Sequence, residues 1–130
     1  MNSVMLDTTV LIDALRGRPA ADRVRQLLKD RNLLVTTAIN VEEIFRGLRS
    51  KEKSSADALF AAIRVLPIRR EEGELAGRWR REFSAIGITL HQADCLIAAA
   101  AIAVNARLAT GNIKDFPMSG LMVESWPVGE

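Results

Sequence analysis

The sequence has one cysteine, Cys95, and one histidine, His91. A single cysteine excludes an internal disulfide, and together with a single histidine it cannot assemble the nitrogen and sulfur ligands of a zinc centre. The chain also lacks a long apolar run. The longest, Cys95 to Val104, has 10 residues and is mostly alanine, too short to cross a bilayer. No basic start precedes the first apolar stretch, which Asp7 and Asp13 interrupt, so no signal peptide is expected. Cysteine usage fits a reducing compartment, so a cytoplasmic protein with no membrane partner is expected. Internal repeats, low-complexity tracts and an obvious linker are missing too, and residues 1–130 are therefore read as a single domain. Nor is there a dense block of one charge. The net charge of +2 is a mild basic bias, compatible with a polyanionic partner but unlike a basic tail.

What is present is an ordinary globular balance, 48% hydrophobic and 26% charged, which at 130 residues supports a core without staples. Val4-Met5-Leu6 reads as a buried strand stopping at Asp7. Thr8 to Arg16 reads as a helix ended by Gly17, and Pro19 opens a second, with Val24, Leu27 and Leu28 facing inward. Leu33-Leu34-Val35 is a second strand. Val41, Ile44, Phe45 and Leu48 have amphipathic helical spacing, Lys51 to Ser55 forms a polar link, and Ala56, Leu59, Phe60 and Ile63 make another helical face. Val65 to Ile68 is a short strand that its Pro67 consigns to a sheet edge. Arg70 to Ala85 is a charged, peripheral helix ended near Gly87. Ala93, Leu96, Ile97, Ala100 and Val104 belong to a nearly all-apolar, central helix. Arg107 to Thr110 and Leu121-Met122-Val123 complete the strands. Alternation of strand and helix predicts an α/β fold with a mainly parallel sheet covered on both faces.

In such sheets, sites form beyond the carboxyl ends of the strands. Asp7 follows the first strand, Asn112 and Asp115 follow the Arg107 to Thr110 strand, Asp94 lies early in the central helix, and Glu42 or Glu43 lies near the start of the helix after the second strand. Four distant segments thus bring acids to one edge. Each acid also has a structural use. Asp7 can cap the helix at Thr8, and Glu43 can close an Asn40-x-x-Glu43 capping box. Asp94 can complement a helix dipole behind a Thr89-x-x-Gln92 cap, and Asp115 can sit in a loop. Convergence favours the other use. Clustered carboxylates repel unless neutralised, and a hard divalent cation such as Mg2+ or Mn2+ accepts their oxygens. Phosphodiester hydrolysis is the chemistry that such cations commonly serve.

Leu6-Asp7-Thr8-Thr9-Val10-Leu11-Ile12-Asp13 resembles the opening block of PIN-domain nucleases, and Glu43-Ile44-Phe45-Arg46-Gly47 resembles their second. Asp94-Cys95-Leu96-Ile97-Ala98-Ala99 is similar to the third, and Leu108 to Phe116 to the fourth. Order, spacing and length resemble the VapC-type toxins of type II toxin–antitoxin pairs, over about residues 4 to 116. The resemblance implies a three-layer α/β/α sandwich and an endoribonuclease that cuts RNA of the tRNA or rRNA class with Mg2+ or Mn2+. It also implies a cognate antitoxin and a homodimer. It places the metal-binding catalytic acids on Asp7, Glu43, Asp94 and Asp115. Helical periodicity does not separate Glu42 from Glu43, whereas the family spacing to Gly47 selects Glu43 and leaves open space beside it. At position 112, where many relatives carry an acid, this chain has asparagine. Asn112 then orients water or metal while Asp115 supplies the charge. Thr8 and Thr110 match small hydroxyl positions, for orienting water or a carboxylate or for capping a helix or turn.

Arg69-Arg70 and Arg78-Trp79-Arg80-Arg81 are the densest basic region, read as a solvated face interleaved with Glu71, Glu72, Glu74 and Glu82 rather than an RNA contact. Trp79 would anchor its helix to the core or to a partner; His91 is left outside the catalytic set, and Cys95 and Met5 are assigned to the core. Two other functions fit a small α/β chain. One is a PIN-like module that binds RNA or a partner while cutting weakly, which the asparagine at 112 permits. The other is a phospho-receiver, which needs acids before Met5 and a lysine on the last strand; the first are missing and Lys114 falls in a loop.

Overall fold

The computed structural model describes residues 2–129, which form a five-stranded, wholly parallel sheet with helices on both faces. In chain order the elements are β1 (Ser3–Leu6), α1 (Thr8–Leu15), α2 (Pro19–Lys29), β2 (Leu33–Thr37), α3 (Ala38–Arg46), α4 (Lys53–Ala61), β3 (Arg64–Leu66), α5 (Arg70–Ala85), α6 (Gln92–Ala103), β4 (Arg107–Thr110) and β5 (Val123–Ser125). Short 3-10 turns at Ser50–Glu52 and Ile113–Asp115 complete them. The strands lie in the order β3-β2-β1-β4-β5.

Alternation along each strand divides the core in two. Met5, Val35, Leu66 and Leu108 point to the face covered by α5 and α6. Val4, Leu6, Leu34 and Ala109 point to the face where Val10 and Leu11 of α1, Ala20 and Val24 of α2 and Ile44 of α3 pack. Register fixes this division, since Met5 pairs with both Val35 and Leu108, and a slip of one residue would exchange the faces. The consecutive buried alanines Ala98 to Ala101 let α6 sit close to the sheet beneath α5. Trp79 settles its own alternatives by burying against this core. Met5 and Cys95 are fully buried, as expected.

Several local expectations shift. The helix expected from Val41 begins at Ala38, because Thr37 rather than Asn40 caps it: the Thr37 hydroxyl accepts the amides of Ile39 and Asn40. Its buried positions are Asn40 and Ile44, while Phe45 is exposed and stacks on Phe60. The polar link from Lys51 is already helical at Lys53. Leu28 lies at the surface. The last strand is Val123–Ser125 rather than Leu121–Val123, and Met122 is largely exposed. Short apolar runs do not reveal strand ends, because pairing with a neighbour sets them. β3 stops before Pro67 and lies at the sheet edge, as its proline requires.

Candidate active site

Strand order turns back between β1 and β4: the chain works outward from β1 through β2 to β3, then crosses to β4 on the other side. The carboxyl ends of β1 and β4 therefore flank the crevice where α/β sheets place ligands. Asp7 follows β1, and Thr110 ends β4. An open cleft of ≈ 500 Å³ lies there, lined by Asp7, Thr8, Thr9, Glu43, Asp94 and Asp115 together with Arg16, Arg46 and Gly47. All four expected acids reach one cavity. Glu43 lines it and Glu42 is exposed elsewhere on α3, so the fold makes the distinction that periodicity left open.

Asp7 occupies the N-cap of α1 but makes no side-chain cap bond. Its Oδ2 instead accepts hydrogen bonds from the hydroxyls of Thr110, at 2.8 Å, and Thr9, at 3.2 Å. Burial pushes the Asp7 carboxyl above the ordinary carboxylate range against these hydroxyls, and Glu43 adds repulsion. Thr110 serves both uses foreseen for it, since its oxygen also accepts the Asn112 amide. Thr8 orients a carboxylate by donating to Glu43 Oε1 at 2.6 Å. Asp94 lies in the first turn of α6, behind His91, which occupies the N-cap without a side-chain cap bond; the Thr89-x-x-Gln92 cap does not form. Burial, followed by repulsion from Asp115 and Asp7, pushes Asp94 up to about 6, opposed by His91 and reinforced by Glu43. Asp115 stands in the 3-10 turn after β4, and Asn112 Nδ2 donates to its Oδ2 at 2.9 Å. Asn112 is thus exposed and tethers Asp115.

Sequence patterns missed four contributors. Thr9 accepts the Gly111 amide at 2.8 Å and so joins β4 to Asp7. Asn40 is wholly buried and donates to Thr8. Its signal was a polar residue four positions before buried Ile44, on one helix face. Arg16 and Arg46 line the cleft, Arg16 being held through its Nε by Glu52 at 3.2 Å. The Arg69–Arg81 region does not line it; Arg69 pairs with Glu72 and Arg70 with Glu74.

Gly111 is a point of close approach. A Cβ there would meet Val128 Cγ2 at 2.6 Å and Thr9 Oγ1 at 3.2 Å. Val128 is itself exposed, but the backbone beside it is tied down, because the next amide, of Gly129, donates to buried Asp13 at 2.7 Å. Gly111→Ala should therefore destabilise the protein by about 1 to 3 kcal/mol in urea unfolding, the usual range for overpacking. An unchanged midpoint would show that the tail yields freely.

The donor set suits a hard cation: four carboxylates and no nitrogen or sulfur ligand along the cleft. Among the described residues, no three His, Cys, Asp or Glu side chains are drawn together tightly enough to enclose an ion by themselves. A hard divalent cation there would take some of its ligands from these carboxylates and the rest from water or phosphate. No helix of the described residues is long and apolar enough to cross a membrane.

Residues 4–117 match the PIN domain family. Ribonuclease VapC10 of Mycobacterium tuberculosis is 36% identical over 120 residues, covering 88% of this chain and 86% of its own. Ribonuclease VapC19 of the same organism is 31% identical over 115 residues, covering 88% and 92%. The structure of VapBC2 from Rickettsia felis bound to a promoter DNA fragment contains a chain 26% identical to this one, with a TM-score of 0.84 and coverage of 95% and 98%. Four acids around a β1–β4 crevice, the sheet that carries them and these likenesses lead to one assignment: the chain belongs to the PIN-domain family, among its VapC ribonucleases.

Proposed function

We propose that this protein is a divalent-metal-dependent endoribonuclease, the toxin of a toxin–antitoxin pair, with Asp7, Glu43, Asp94 and Asp115 as the carboxylates that hold Mg2+ or Mn2+. The observation that carries this reading is the meeting of these four acids, from four segments, in one cleft at the switch point of the sheet. A divalent cation held there supplies the Lewis acidity that makes water nucleophilic and stabilises the leaving oxygen of a phosphodiester. The protein's own groups do the rest. The hydroxyls of Thr9 and Thr110 fix Asp7 Oδ2, Thr8 fixes Glu43 Oε1 and Asn112 fixes Asp115, so little reorientation is needed when substrate arrives. Arg16 and Arg46, on the same cleft, place positive charge where an RNA backbone would run.

Solved relatives described as VapBC support a cognate antitoxin partner, and the ribonuclease names of the relatives support an RNA substrate. A tRNA or rRNA substrate and a homodimer remain part of the proposal. The phospho-receiver alternative has the strand order 2-1-3-4-5, which this sheet does not adopt.

Incubating total cellular RNA with purified wild type, Glu42→Gln and Glu43→Gln, each with Mg2+, Mn2+ or chelator, tests the reading. Wild type and Glu42→Gln should produce the same discrete fragments, lost with chelator. Glu43→Gln should lose at least about a hundredfold in rate, since Lewis-acid stabilisation is worth several kcal/mol and each 1.36 kcal/mol is tenfold. Equal cleavage by all three would remove Glu43 from the site. No cleavage by folded wild type with either metal would favour a binding module instead.

A further inference from the structure

The cleft is supported from below by a chain of hydrogen bonds in which each proton has one possible direction. Asn40 is fully buried on α3. Its Oδ1 lies 3.1 Å from the Thr37 amide and 2.7 Å from the Thr37 hydroxyl. A backbone amide only donates, so the atom facing it must be the amide oxygen of Asn40, and the NH2 group must point the other way. There it donates to Thr8 Oγ1 at 3.0 Å. An NH2 group only donates, so the Thr8 oxygen accepts and its single proton is left for Glu43 Oε1, 2.6 Å away. The chain Thr37, Asn40, Thr8, Glu43 therefore ends in a donor aimed at a carboxylate of the cleft. Asn40 does not line the cleft, and its side-chain hydrogen bonds go to Thr37 and Thr8.

We infer that Asn40 is a positioning residue for divalent-cation binding: through Thr8 it holds Glu43 as an oriented acceptor with its other oxygen, Oε2, left for the cation. This rests on the proposed function, in which Glu43 is a metal-binding carboxylate. Asn40 also supports the start of α3, and a merely structural role there would need only its Oδ1. The two roles separate chemically. Asn40→Asp, once ionised, keeps an oxygen for Thr37 but replaces the donor facing Thr8 with an acceptor, so the Thr8 proton turns toward residue 40 and Glu43 loses its donor. Thr8→Val removes the same link without changing charge, and Thr8→Ser restores the hydroxyl.

The test is the dissociation constant of Mn2+ for the purified, folded protein, read calorimetrically and by the electron paramagnetic resonance of free Mn2+, with circular dichroism to verify folding. Loss of an outer hydrogen-bond partner of a metal ligand typically costs ten- to a hundredfold in affinity. Asn40→Asp and Thr8→Val should each weaken Mn2+ binding by about that factor, and Thr8→Ser should return it to the wild-type value. Because Asn40 acts through Glu43, Asn40→Asp should add nothing in a Glu43→Gln background. Should Asn40→Asp not fold, Thr8→Val and Thr8→Ser carry the test.

Wild-type Mn2+ affinity in folded Thr8→Val, or in folded Asn40→Asp at a pH high enough to ionise residue 40, would overturn the inference. So would an Asn40→Asp loss that persists in full when Glu43 is already glutamine. If Glu43→Gln itself binds Mn2+ and cleaves RNA like wild type, the assignment of Glu43 falls, and the inference with it. Failure of the inference alone leaves Glu43→Gln impaired.

Discussion

Asp94→Asn should lower the rate of RNA cleavage by about a thousandfold or more while making the metal-free protein more stable at neutral pH. The loss follows from taking a charge away from the cation site, since Lewis-acid stabilisation of a phosphoryl transition state is worth several kcal/mol and each 1.36 kcal/mol is tenfold in rate. The gain follows from the company Asp94 keeps. It is desolvated and faces Asp115 and Asp7, which together push its carboxyl up to about 6. At pH 7 the metal-free protein must hold that charge against burial and like charges, and asparagine relieves it with nearly the same shape. Allowing for solvent screening of a half-buried group, the relief is roughly 1 to 2 kcal/mol, or a few degrees in melting temperature. Single-turnover cleavage and a melt in chelator measure the two halves. A variant that is inactive and also less stable than wild type would show that Asp94 holds the fold together rather than straining it.

Metal and pH should act on wild-type stability as opposing forces, with the sign set by the same carboxyls. Asp94 and Asp7 are raised in the folded state, so between about pH 4 and 6 the folded protein binds more protons than the unfolded chain. Stability from these groups is therefore present at the acid end of that window, falls as pH rises through it, and stays low above it. A divalent cation reverses the trend, because it binds the ionised acids and only the folded site. At a hundred times its dissociation constant it contributes about 2.7 kcal/mol. Above pH 6, Mg2+ or Mn2+ should raise the melting temperature by several degrees. Below pH 5 a proton occupies Asp94 and the gain should shrink. Melts across pH 4 to 8, with chelator and with each metal, check both limbs. A metal-induced rise independent of pH would place the cation elsewhere on the surface.

Much of this molecule could be read from its residues. Asp7 directly after Val4-Met5-Leu6, and Asp94 at the head of an alanine-rich apolar helix, are local signals. A buried strand must end where a charge begins, and an all-apolar helix must be central. Boundaries set by partners were not legible. Thr37 caps α3 because β2 delivers it there, whereas the sequence offers Asn40 as an equally good cap. Leu121-Met122 is as apolar as a strand but lies outside the paired register of β5 with β4, which starts at Val123. Nor was the support of the acids legible. Thr9 reaches Gly111, 102 residues away, and Asn40 reaches Thr8, 32 residues away. No local spacing encodes either contact.

The sequence by itself determined the kind of fold and the chemistry on offer. Its alternating apolar segments require a covered parallel sheet, its strand ends and helix starts carry the acids, and its single cysteine and single histidine leave oxygen as the ligand. Only the tertiary structure decided which groups meet. Pairing β1 with β4 brings Thr110 onto Asp7, and the rotation of α3 on the sheet turns Glu43 into the cleft and Glu42 away from it. The reason is physical. Side-chain character and short-range periodicity are properties of neighbours along the chain, whereas strand order and helix rotation minimise the free energy of the whole packed core, in which every strand and helix takes part.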